Sequence, residues 1–137
     1  MTFKQAVTLY LITLAVFFVI DMIRLGVVAK GFYRKHLGFL MGPKVVWPAA
    51  ILFYLLFIAG LIVFVIRPAL ASGEPLKALL LGAFFGLISY ATYDLSNLAT
   101  LKDWPVIVTI VDLVWGTTLG GLVSLAGALL GRWLLKL

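Results

Sequence analysis

Apolar and polar residues fall in blocks along this chain rather than with the period of an amphipathic helix or strand. Four blocks, roughly 3–28, 45–66, 76–98 and 104–130, are apolar almost throughout. Each is long enough for a helix to cross ~30 Å of hydrocarbon at ~1.5 Å per residue, and a helix satisfies its own backbone hydrogen bonds there. The pattern predicts an all-α fold: an integral membrane four-helix transmembrane bundle. The connections are short, so residues 1–137 are expected to form a single transmembrane domain with no soluble module attached.

Punctuation between the blocks sharpens this reading. "GFYRKHLGFLMGPK" (31–44) closes the first span with glycine and ends in Gly-Pro, and is read as a basic loop. "RPALASGEP" (67–75) reads as a turn bearing proline and glycine, with Pro75 suited to the first turn of the third span. "KDWP" (102–105) is so short that the third and fourth spans should be adjacent and antiparallel. Small residues recur every four positions on the fourth span (Gly116, Gly120, Ser124, Ala128) and on the third (Ala78, Gly82, Gly86). Such stripes let helix backbones approach closely in lipid, so they are read as packing surfaces.

A faint internal repeat accompanies these signals. The second and fourth spans both open with Trp-Pro (Trp47-Pro48, Trp104-Pro105), and the first and third both carry an aspartate towards their ends (Asp21, Asp94). Two spans per unit would make a parallel repeat about an axis along the membrane normal. The simpler explanation is that Trp favours interfaces and Pro favours first helical turns.

Composition agrees with a bilayer as solvent: 64% of residues are hydrophobic and 12% charged, with mean hydropathy +1.20. The first block continues past 20 residues and shows no small-residue cleavage pattern, so it is read as a retained helix rather than a signal peptide. With no cysteine, disulfides, thiolate metal sites and cysteine nucleophiles are excluded. The net charge of +6 is spread over loops and ends, which suits anionic headgroups rather than nucleic acid. If both termini share one side, that side carries Lys4, Arg67, Lys77, Arg132 and Lys136 against Lys30, Arg34, Lys35, Lys44 and Lys102 on the other. The tie gives no orientation.

Candidate chemistry lies in the three aspartates inside the spans, Asp21, Asp94 and Asp112. A charge near mid-bilayer costs ~2.5–3.5 kcal/mol on insertion scales, so these side chains should face the bundle or a wet cavity. The first span ends, the third ends and the fourth begins on one side, which places all three ~6–12 Å inside the same face. Arg24 is within reach of Asp21 on one helix face. Tyr90, Asp94 and Asn97 follow i, i+4, i+7 spacing, with Ser89 and Tyr93 beside that stripe. Asp112 has Thr109 at i−3 and Trp115 at i+3. These residues predict a shallow acidic pocket that binds a ligand or a proton through Asp21, Arg24, Tyr90, Tyr93, Asp94, Asn97, Asp112 and Trp115. The plainer alternative is interhelical hydrogen bonding worth ~0.6 kcal/mol per contact.

Other chemistries find less support. His36 is the sole histidine and lies in the expected loop, so a histidine-rich metal site is excluded. Three carboxylates could in principle hold a hard cation, but no metal and no cofactor is expected. The serines have no histidine base in the same spans, and no phosphate loop, dinucleotide fingerprint or mid-helix lysine is present.

"FYRKHLGFLM" (32–41), "FYLLFIAGLIVFVIRPAL" (53–70), "GLISYATYDLSNLATLKDWP" (86–105) and "VDLVWG" (111–116) resemble a family of small bacterial inner-membrane proteins. That family is known as a four-span domain of unknown function. The likeness covers nearly the whole chain, although an aromatic residue would be expected where Arg24 stands. It implies a multi-pass protein of the bacterial inner (cytoplasmic) membrane and brings no activity with it. Three readings of function follow. The first is binding or transport of a small amphipathic ligand, a lipid or a proton. The second is a membrane-embedded enzyme acting on a lipid or isoprenoid, with an aspartate pair as acid and base. The third is a structural subunit whose glycine stripes dock a membrane-protein partner or a second copy. The lipid bilayer is the partner common to all three.

Overall fold

A computed structural model describes residues 1–24 and 30–136. Four helical spans are long and apolar enough to cross a membrane: Phe3–Arg24, Trp47–Ser72, Pro75–Thr100 and Val106–Leu135. Among the described residues there is no strand, and the fold is an all-α membrane bundle. The elements are α1 (Phe3–Arg24), α2 (Lys30–Leu37), α3 (Trp47–Leu61), α4 (Arg67–Ser72), α5 (Pro75–Thr100) and α6 (Val106–Leu135). Positions 25–28 of the first expected span lie outside the described residues.

Two segments differ from the sequence expectation. The first half of the basic 31–44 stretch is not a loop but lies in the short helix α2. Residues 67–72 are likewise helical. Proline at the first turn of α4 continues the span, because a π-helical turn at Ile62–Ile66 precedes it. The reversal comes only at Gly73, whose φ of +70° closes α4 in the left-handed conformation that glycine adopts without a Cβ clash. Arg132 donates to the Gly73 carbonyl at 3.2 Å.

The π turn has a reason in the burial pattern. Phe57, Leu61, Val65 and Ala69 are buried at intervals of four, with Ile58, Ile62 and Ile66 alongside. In an uninterrupted α-helix, three steps of four residues drift by about 120° around the axis. One extra residue in a wide turn offsets about 100° of that drift and keeps both rows on the core face.

The α5–α6 pair makes the most extensive contact in the molecule. Ala78, Gly82 and Gly86 meet Gly116, Gly120 and Ser124, all of them buried. The approach is backbone to backbone: a Cβ built on Gly86 would sit 2.0 Å from the Gly116 carbonyl oxygen, and one on Gly120 would sit 2.2 Å from that of Gly82. Helix α1 packs antiparallel on α6 through Leu9, Thr13, Phe17 and Asp21, again four apart and buried. Leu9 lies over Gly131 and Thr13 over Gly127. In that register Arg24 arrives over Trp115.

The two Trp-Pro pairs are not equivalent. Trp47 is 60% exposed, whereas Trp104 is 7% exposed and donates to Thr109 at 3.0 Å.

Candidate functional site

The C-terminal ends of α1 and α5, the start of α6, the α2 helix and the N-terminal half of α3 enclose a cavity of about 440 Å³. Asp21, Arg24, Tyr33, Leu37, Ala50, Phe53, Tyr54, Ser89, Tyr90, Tyr93 and Asp112 line it. Of the eight residues singled out from sequence, five therefore face one space: Asp21, Arg24, Tyr90, Tyr93 and Asp112. Trp115 stands one layer behind, in contact with Arg24. Asn97 is half-buried and does not line the cavity, though its carbonyl accepts from the Leu101 N–H and closes α5.

Asp94 also lies off the cavity. It is wholly buried at the α5–α6 contact with its carboxyl group beside that of Asp112, and neither of its oxygens receives a donor from any other described residue. The hydroxyls that surround it in sequence are already satisfied: Ser89, Thr92, Ser96 and Thr100 each donate to the carbonyl four residues back on α5. Thr109 is taken by Trp104 and by the Asp94 carbonyl. Polarity around 90–105 is thus spent mainly within single helices, and interhelical hydroxyl bonding leaves Asp94 aside.

Among the described residues, Arg24 is the one cation that lines the site. Its guanidinium carbon lies 5.3 Å from the Tyr33 ring centroid and 5.1 Å from that of Trp115, close enough for cation–π attraction to both. A guanidinium nitrogen is 3.8 Å from the Asp21 carboxylate, an ion pair too long for a hydrogen bond. Asp21 is 8% exposed and Asp112 6%.

Tyr33 is the polar member of the site outside the spans that sequence reasoning missed. It reaches in from α2, outside the spans, and its hydroxyl donates to Asp112 Oδ1. Burial, together with that acceptor, pushes the Tyr33 phenol well above the usual tyrosine range, so it stays a donor. A signal was present in the i, i+4 pair Tyr33 and Leu37 opposite exposed Arg34 and Lys35, a short amphipathic turn rather than a loop. Tyr54 and Phe53 were missed too, since an aromatic in an apolar span carries no polar signal.

Residues 6–129 match the model of a family described as "Predicted membrane protein (DUF2177)". The chain belongs to that family. No curated protein and no solved structure matches it. Membership establishes a predicted membrane protein whose spans are the four helices above, and the lipid bilayer is its surroundings.

Proposed function

We propose that the cavity at this end of the bundle is a binding site for a small amphipathic molecule, and that ligand and proton occupancy are linked there. The observation that carries the reading is the cavity itself. About 440 Å³ lies within the range of small-molecule sites, and it combines aromatic walls with a few convergent polar groups. Lipid alone would be met by an apolar wall. Placing two carboxylates and an arginine on this one costs free energy that helix packing does not require.

The proton belongs to the Asp94–Asp112 pair. Two carboxylates side by side away from water repel one another when both are charged, which makes this pair the place where we assign uptake or release of a proton. Tyr33 donates to Asp112, and no other described residue donates to Asp94. A charged ligand beside Asp112 then acts on Asp94 directly behind it. Tyr90 and Tyr93 orient the ligand, and Asn97 supports the end of α5. The bacterial inner membrane is the location that the likeness of the 32–41, 53–70, 86–105 and 111–116 motifs supports, and transport is the activity we assign to a site of this kind.

The test is the rise in melting temperature given by a panel of small amphipathic molecules of positive, negative and zero charge. At least one should stabilise the wild-type protein and fail to stabilise Ala50→Trp, which fills the cavity. If no compound separates the two proteins, the reading is wrong. For a compound that does, Asp94→Asn should abolish the accompanying proton release or uptake in weakly buffered solution. Unchanged proton exchange would remove the linkage.

A further inference from the structure

We propose that the ligand of this cavity is a protonated amine carried on an apolar body. The inference rests on the cavity being a binding site and adds the charge and donor chemistry of what it binds.

Charge is the first argument. Among the described residues the lining holds two carboxylates, Asp21 and Asp112, against the single guanidinium of Arg24, one negative charge in excess. The Arg24 guanidinium lies near the Tyr33 and Trp115 rings and 3.8 Å from the Asp21 carboxylate. Its positive charge is thus partly offset by the protein's own groups, although its buried Nε has no hydrogen-bond partner among the described residues.

The second argument is a missing donor. Asp112 receives the Tyr33 hydroxyl. Asp21 lines the cavity with its side chain 12% exposed and receives no hydrogen bond among the described residues, its closest cation standing at 3.8 Å. A cavity-facing carboxylate that accepts no hydrogen bond from the protein is open to a ligand N–H. The remaining wall decides between kinds of cation. Phe53 and Tyr54 stand with ring centroids 6.0 Å apart, and Phe53 meets Tyr90 edge-on at 6.5 Å. Calcium and magnesium need six or more oxygen ligands, and among the described residues no three acidic or histidine side chains group to hold a metal. Aromatic faces instead suit an ammonium whose shell is part carboxylate and part ring.

The experiment uses a matched series: 4-phenylbutylamine, 4-phenylbutanol and 4-phenylbutanoate, titrated calorimetrically at neutral pH into the full-length protein in lipid nanodiscs, with empty nanodiscs subtracted. The amine should bind at least tenfold more tightly than the alcohol or the carboxylate. Asp21→Asn should lower amine affinity about tenfold and leave the alcohol unchanged, which also shows that the variant is folded. If the alcohol or carboxylate binds as well as the amine, or if Asp21→Asn weakens all three alike, the amine assignment falls and the cavity remains a binding site of another specificity. If none of the three binds and none separates wild type from Ala50→Trp, the cavity reading falls with it.

Discussion

The α5–α6 pair treats its small and polar residues in opposite ways at its two ends. Between Gly82 and Ser124 the helices touch backbone to backbone, and a single added methyl group has nowhere to go. Between Tyr90 and Asp112 the same two helices carry side chains that keep space open on their α1–α3 side. In lipid, where no hydrophobic force drives helices together, close packing at one end supplies the attraction. The other end can then hold polar groups without having to maintain the fold. The contrast teaches that the glycine seam and the polar cluster are separable, although they share two helices and interleave in sequence.

That separation can be broken most sharply at the seam. Gly86→Ala should cost about 3 kcal/mol, because its Cβ must push the Gly116 carbonyl away and the whole helix with it. The readout is the fraction of protein that stays monodisperse after heating. At the cavity end, Tyr33→Phe should cost ~1.5–3 kcal/mol locally, the range for a hydrogen bond to a charged group. Amide exchange should report it as lost protection of α2, with α5 and α6 unaffected. An equal loss across all helices would mean that the two ends are one cooperative unit. The sign of the pH effect is fixed by the raised Tyr33 phenol. An unfolded tyrosine ionises near pH ~10, so the neutral form favoured in the fold contributes fully below that and is lost only as pH rises beyond it. Tyr33 itself should therefore add no pH dependence to α2 protection between about pH 6 and 9.

Smaller effects should mark the border between the two ends. Trp104→Phe removes the bond to Thr109 and should lower stability by ~0.6 kcal/mol, the average for such contacts in membranes. Ser124→Ala should be neutral within ~0.5 kcal/mol, since its buried hydroxyl has no partner to lose. A larger loss in chemical-denaturant or thermal unfolding would show that this hydroxyl is bound after all.

The membrane fold was plain in the sequence because hydrocarbon thickness imposes a minimum apolar run, and the α5–α6 pairing followed from a five-residue connection and two glycine stripes. The meeting of Asp21, Asp112, Arg24, Tyr90 and Tyr93 at one cavity was legible from connectivity alone, which fixes the end of the bundle each residue occupies. Connectivity does not fix the rotation of a helix that is apolar on every side. Asp94 and Asn97 share a stripe with Tyr90 by spacing, yet Asp94 turns into the α5–α6 contact and Asn97 stays outside the cavity. Tyr33 was hidden for another reason. Its segment was read by charge and glycine content as a loop, although four-residue spacing within it marked a helix.

The π turn at Ile62–Ile66 also says what changes of length this span can absorb. Deleting one residue there would restore an ordinary helix, which is locally the more favourable structure. It would leave Arg67–Ser72 in nearly its present orientation relative to Trp47–Leu61, because the wide turn already offsets the about 100° that the extra residue adds, and Ala69 would still face the core. Within the wide turn Val63 and Phe64 are exposed, and Phe64 stacks on Phe85. For this span, one residue more or fewer is absorbed inside the wide turn, and the face buried on either side of it stays the same.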